Sequence, residues 1–269
     1  MNIIKLMGGL ANQLFQYAFG KAMMVNGREV YFDTSWYRGS KKDRPYELNK
    51  FYTTVNTIKA FNQRYPIVDE VALKYEVDMN YLTTNNKNFW GYWQHPAYFK
   101  HLKPVLADEF RVRKELYTPE FIDMRAEIIC NENVSVHVRR GDYVRVNGHY
   151  LLTMEYFEKA INLLRDHGRI YVFSDDLTWC RRNFNGCKFV DMNPYFSFEL
   201  MRLCKHNIIS NSTFSWFAAY LNDNPDKQVI TPNRWRVDMN DSAERDAEFK
   251  QPEQGWTVLN SPGIIVDNN

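Results

Sequence analysis

Apolar and polar positions follow two periods in turn along the second half of this chain. Val134, Val136 and Val138 recur at every second residue, the spacing of a strand with a buried face. Phe157, Ala160, Ile161 and Leu164 then recur at helical spacing, and Gly168 closes that helix. The same alternation continues downstream. It predicts a strand over Arg169 to Ser174, a short helix over Leu177 to Asn183 and a strand over Lys188 to Asp191. A helix over Phe196 to Lys205, a strand over Asn207 to Ser210, a helix over Ser212 to Leu221 and a strand over Gln228 to Thr231 complete it. Strands and helices in strict alternation call for a parallel sheet with right-handed crossovers, so a Rossmann-like domain is expected.

The first half opens in the same way. Asn2 to Leu6 reads as a strand, Gly8-Gly9 as a tight turn, Ala11 to Val25 as a helix ended by Gly27, and Glu29 to Asp33 as a second strand. From Arg38 to Asn88 the periodicity weakens, with Lys41, Lys42, Asp43 and Arg44 on an expected loop. Six aromatics crowd into Phe89 to Phe99, where ring packing in a core is the expectation. The segment Phe121 to Asn133 reads as the passage between two domains, 1–130 and 131–269.

Composition narrows the field. With 269 residues, 45% of them hydrophobic, the chain can bury a substantial core, and a net charge of +2 gives no electrostatic footprint for nucleic acid. No apolar run approaches a membrane span, and the first residues show neither a basic leading region nor a cleavage site, so a cytoplasmic protein without an integral span is expected. Cys130, Cys180, Cys187 and Cys204 lack metal-type spacing and are expected as buried free thiols.

Four segments place polar residues just beyond an apolar strand, where open α/β sheets bind ligands. In Gly8 to Gly20 two glycines permit a sharp turn into a helix whose free amides suit phosphate or sugar; a structural turn capped by Asn12 is the alternative. The three-glycine spacing of a dinucleotide fingerprint is absent. In His137-Val138-Arg139-Arg140-Gly141-Asp142 two guanidiniums beside a glycine can cradle phosphate oxygens. In Ser174-Asp175-Asp176 no Asp-x-Asp pattern points to a metal, so hydrogen bonding to a nucleoside or capping of the next helix is expected. In Asn211 to Leu221, Ser212 and Thr213 open a helix whose dipole favours an anion, although plain N-capping fits equally. Trp216, Phe217 and Tyr220 are expected in the core.

Taken in order, GGLANQLFQYAFGKA, HVRRGDYV, FSDD and NSTFSWFAAYL resemble the four motifs of the α-1,2-fucosyltransferases, glycosyltransferase family 11, and GYWQHPAYF is similar to that family's pattern. The likeness spans Met1 to Pro232. Ala11 departs from it, standing where the family usually has glycine, which puts close backbone approach there in question.

The resemblance implies two Rossmann-like domains of the glycosyltransferase B type with a cleft between them. It implies inverting transfer of fucose from GDP-fucose, a co-substrate, to a galactose-terminated glycan, without a resident cofactor or metal. Association with a membrane-bound, lipid-linked glycan would be peripheral. On this basis Arg139 contacts the diphosphate with Arg140 beside it, Ser212 and Thr213 form the phosphate-binding helix start, and Ser174, Asp175 and Asp176 lie near the nucleoside, with His137 also on the donor side. Gly9, Asn12 and Gln13 face the sugar and acceptor, and Asp142 and His149 are candidate bases between which the sequence does not choose. Two readings from other classes are a non-catalytic sugar- or nucleotide-binding module and an adhesion protein using Arg140-Gly141-Asp142. The second needs an exposed extracellular loop, whereas this tripeptide abuts a buried strand.

Overall fold

A computed structural model describes residues 1–38, 44–73, 76–145, 150–164, 167–235, 248–261 and 263–265. The chain forms two compact α/β units, Met1–Leu116 and Tyr117–Asn269. His149, Lys41, Lys42 and Asp43 lie outside the described residues.

In the first unit, β1 (Asn2–Lys5) leads into α1 (Leu10–Val25) and β2 (Val30–Asp33), followed by β3 (Thr57–Ile58), β4 (Ile67–Asp69), β5 (Asn88–Trp90) and α2 (Lys103–Glu109). The sheet order is β3-β2-β1-β5-β4, and every pair is parallel. Because the chain first winds outward from β1 through β2 and then returns on the other side through β5, the switch point lies between β1 and β5. The turn after β1 is made by Gly8 at φ +79°, a left-handed conformation that glycine adopts without penalty. Ala11 sits one residue inside α1 and is buried, so its methyl group packs in the core and does not restrict the turn. Four of the six aromatics of that run are core as expected, Trp93 stacking on Phe19 at 4.5 Å and Phe89, Tyr98 and Phe99 being buried, whereas Trp90 is exposed and Tyr92 half-buried.

In the second unit, α3 (Pro119–Ile129) precedes β6 (Asn133–Val138), β7 (Tyr150–Leu152), α4 (Met154–Leu163), β8 (Arg169–Ser174), α5 (Leu177–Asn183) and β9 (Lys188–Val190). Then come α6 (Pro194–Leu203), β10 (His206–Ile208), α7 (Thr213–Leu221), β11 (Val229–Pro232), β12 (Trp256–Leu259) and β13 (Gly263–Ile265). The parallel sheet runs β12-β11-β10-β6-β8-β9, while β7 and β13 form a separate antiparallel pair. The switch point here falls between β6 and β10.

The two units divide after Leu116, earlier than the 130/131 boundary expected from sequence. Helix α3, capped by the Thr118 hydroxyl accepting from the Phe121 amide, stacks Phe121 on Phe196 of α6 at 4.3 Å and so packs with the second unit. All six residues of β6 are buried, as befits a central parallel strand. Val134, Val136 and Val138 share a core cluster with Phe157, Ala160 and Leu164 of the predicted helix face, with Ile161 partly buried against it and Tyr156 joining it. The opposite face, Asn133, Ser135 and His137, is polar, and each buried group there carries a cost of about 1–3 kcal/mol unless bonded. Each is bonded. Asn133 accepts from the Lys205 amide, Ser135 accepts from Asn207 at 2.6 Å, and His137 meets two serines. All four cysteines are free, but Cys130 is exposed, against the expectation that all are buried. Among the described residues no helix is long and apolar enough to cross a membrane.

Candidate active site

The carboxyl ends of β6, β8 and β10 are neighbours, and they bring together three of the four polar segments. Arg139 leaves β6 with its NH1 group 2.5 Å from Asp175 Oδ2 and its NH2 group donating to Asp142 Oδ1 at 2.5 Å. The other Asp175 oxygen, Oδ1, accepts from the amides of Arg140 (2.8 Å) and Gly141 (3.0 Å). One carboxylate thus closes the loop after β6 and orients its first guanidinium. A Cβ at Gly141 would collide with that carboxylate, which is why glycine stands there. The Arg139 side chain keeps 21% of its surface exposed, and its guanidinium carries further N–H donors beyond the two used in these contacts.

Arg140 is held by a second set of contacts. Its guanidinium lies 4.1 Å from the centre of the Trp179 ring, a cation–π contact, and its Nε donates to Asp176 Oδ2 at 3.4 Å. Asp176 Oδ1 accepts from the Trp179 amide and caps α5, the capping alternative expected from sequence. Ser174 donates to the Val138 carbonyl and accepts from the Asp176 amide. Ser174, Asp175 and Asp176 therefore all have protein partners. The structure gives them the work of fixing the two arginines, where a direct nucleoside contact had been expected.

His137 is displaced from its expected role in the same way. The ring is 5% exposed, and its Nδ1 lies 2.8 Å from Ser210 Oγ and 2.9 Å from Ser215 Oγ. Burial first, and then the Arg139 charge, push its pKa down to about 4 against the pull of Asp175, so the ring is neutral at pH 7. It pins the end of β6 to the start of α7 across the switch point. Tyr143 spans the same gap. Its hydroxyl donates to the Asn211 carbonyl at 3.2 Å, and the Arg139 guanidinium lies 5.1 Å from its ring centre. At the start of α7, Ser212 is extended and does not use its hydroxyl to cap the helix, and Thr213 follows as the first helical residue. The loop that carries Arg139 and the start of α7 follow neighbouring parallel strands, β6 and β10, on the two sides of the switch point, the position at which open α/β sheets bind ligands. Trp216, Phe217 and Tyr220 are buried core residues, as expected.

The switch point of the first unit is built from different chemistry. Asn12 Oδ1 accepts from Gln94 Nε2 at 2.8 Å, joining the ends of β1 and β5. Gln13 is fully buried, and its amide is spent on the Gly8 and Pro45 carbonyls and the Glu47 amide, so it shapes the site without reaching a ligand. Gln16 accepts from the Met7 amide and donates to the Gly91 carbonyl, a second buried clamp across the same gap. Gly9 supplies the helix N-cap, and a Cβ there would meet the Arg44 side chain at 2.8 Å. Tyr37, whose hydroxyl donates to the Gly8 carbonyl, and Glu47 were not singled out from sequence. Glu47 lies in the aperiodic stretch and Tyr37 directly before it, where the sequence pattern marks neither.

Comparison with known proteins agrees with this geometry. The chain is 30% identical to an alpha-1,2-colitosyltransferase of Escherichia coli over 87% of its own length and 91% of the relative's. It is 28% identical to galactoside alpha-(1,2)-fucosyltransferase 2 of Rattus norvegicus, over 82% and 67% of the two chains. The crystal structure of fucosyltransferase NodZ from Bradyrhizobium superposes with a TM-score of 0.52 at 12% identity, covering 81% of this chain and 91% of that one, a likeness of fold. A family 9 glycosyl transferase from Veillonella parvula gives 0.51 at 9% identity, over 96% and 86%. The two parallel α/β units are thus of the glycosyltransferase B type. The model of glycosyl transferase family 11 matches residues 1–260, and the chain belongs to that family.

Proposed function

We propose that this protein is an inverting galactoside α-1,2-fucosyltransferase, moving L-fucose from GDP-β-L-fucose to the 2-hydroxyl of a terminal galactose on a glycan. The observation that carries this reading is Arg139, clamped between Asp142 and Asp175 beside the start of α7 in a family 11 chain. Departure of GDP from an oxocarbenium-like centre builds negative charge on the β-phosphate. A guanidinium already fixed in place stabilises that charge without reorganising, and the helix amides add to it. The second unit takes the donor, with Arg139 and Arg140 neutralising the diphosphate in place of a metal ion. The first unit takes the acceptor at Gly9 and Asn12.

Inversion is supported by the state of the carboxylates near Arg139. Asp142, Asp175 and Asp176 are each tied to a guanidinium or an amide, so none stands ready as a nucleophile for a double displacement. A second donor, a colitosyl nucleotide, is favoured by the relationship to the Escherichia coli colitosyltransferase. The test is incubation of galactose-terminated acceptors with GDP-fucose and with GDP-colitose, read by product mass and by the anomeric coupling constant. An α-1,2-fucosylated product is expected. Preference for the colitosyl donor would move the assignment to that sugar, and no transfer from either would leave a non-catalytic sugar- or nucleotide-binding protein.

A further inference from the structure

The chain leaves β5 at the first unit's switch point, and one buried carboxylate shapes that exit. Glu70 follows directly on the edge strand β4 and is 5% exposed. Its Oε2 accepts from the Tyr92 amide at 2.6 Å and from the Trp93 amide at 3.0 Å, and its Oε1 lies 3.0 Å from the same Trp93 amide. A carboxylate taken out of water needs such bonds. A Cβ at Gly91 would run into this side chain, so glycine stands where the carboxylate crosses the loop. Trp93 has φ +55°, in the left-handed region that a large side chain seldom adopts. Asn86 is the other non-glycine residue of this kind among the described residues, and asparagine enters that region readily. The Trp93 conformation is held from two sides, its amide by Glu70 and its ring by Phe19, stacked at 4.5 Å, with Tyr81, Phe89 and Tyr98 edge-on around it. The chain then reverses about Gln94, where the His95 amide donates to the Trp93 carbonyl at 2.9 Å. Gln94 Nε2 donates to Asn12 Oδ1, and Gln16 holds the Gly91 carbonyl. A strained residue that its surroundings over-determine marks a place where backbone geometry serves function.

We propose that Glu70 is a positioning residue for the acceptor, a role that rests on the function proposed above and on its placing of the acceptor at Asn12. Glu70 fixes the backbone of residues 91–93, that backbone aims Gln94, and Gln94 orients the Asn12 side chain. Reach matters here and charge does not. Because Oε2 alone accepts from both amides, a carboxamide oxygen at the same distance can serve both, whereas a carboxylate one methylene shorter cannot.

The test compares Glu70→Asp, Glu70→Gln and Gln94→Ala with the wild type, using a galactose-terminated disaccharide as acceptor and GDP binding by calorimetry as the readout of the other substrate. Glu70→Asp should raise the acceptor KM about tenfold and leave GDP binding unchanged. Glu70→Gln should stay close to the wild type. Gln94→Ala should raise the acceptor KM by about the same factor as Glu70→Asp, and combining the two should add almost nothing, because the first acts through the second. An acceptor KM unchanged in Glu70→Asp or in Gln94→Ala would overturn the assignment. So would Glu70→Gln proving the worse of the two Glu70 variants, which would give the work to the charge, or a combined variant whose KM shows the two effects multiplied. A Glu70→Asp protein that loses acceptor and GDP binding together with Tm would reduce the residue to a fold-holding role. In each of these cases the wild type still transfers sugar and the proposed function stands, whereas a wild type that transfers neither sugar would take both readings down together.

Discussion

Asp175 touches Arg139 at 2.5 Å through one carboxylate oxygen and gathers the amides of Arg140 and Gly141 on the other. The guanidinium is therefore oriented before any ligand arrives, and a negative charge sits beside the proposed diphosphate site. These two effects oppose one another. In Asp175→Asn the amide oxygen can still accept from the two backbone amides, but the ion pair is lost. GDP should bind as tightly as before or more tightly, because a repulsive charge is gone, while kcat falls about tenfold as Arg139 loses its orientation. Weaker GDP binding, measured by calorimetry, would show that Asp175 matters for loop structure more than for aim.

Much of the second unit could be read from sequence, because β8, β9 and β10 are short strands that are each followed within a few residues by a helix. Helix α5 falls over Leu177–Asn183 as the pattern predicts. The domain boundary could not be read, since what ties α3 to the second unit is a stack between Phe121 and Phe196, far apart in the chain. The pair β7 and β13 escaped for the same reason. In the site, Arg139 and Arg140 were visible because charge follows directly on an apolar strand. Glu47 was not, because its neighbours Gln13 and Tyr37 come from other segments of the chain. His137, Gln13 and Ser174 each bond to internal partners, since polar groups so close to a buried strand end are needed to satisfy one another.

Activity should be independent of divalent cations. Asp175 and Asp176, the acidic pair nearest the expected diphosphate, point to different partners, one to the loop after β6 and one to the cap of α5. Full turnover in excess chelator is expected. Loss of turnover that magnesium or manganese restores would return these two carboxylates to metal binding.

Arg139→Lys should behave nearly as badly as Arg139→Ala. An ammonium keeps the charge but cannot hold Asp142 and Asp175 with two nitrogens and still present donors to a phosphate. The cost, by analogy with deleting one transition-state donor, is about 3 kcal/mol, roughly two orders of magnitude in kcat. If Arg139→Lys kept most of its kcat and only raised KM for the donor, plain charge attraction would explain the residue better.

His137 gives the protein a calculable acid sensitivity. Its folded-state pKa, about 4, lies below the unfolded value near 6.5, so between those two values the unfolded chain binds the extra proton. Stability from this group is complete above about pH 6.5 and is lost as pH falls toward 4, with an upper limit of about 3 kcal/mol. His137→Asn removes the titration while keeping a polar side chain. The wild type should therefore lose more Tm than this variant between pH 7 and pH 4.5, the difference isolating His137 from the carboxylates that titrate in both. Parallel Tm curves for the two proteins would mean that the ring is protonated in the folded state, and that its contacts with the two serines survive the charge.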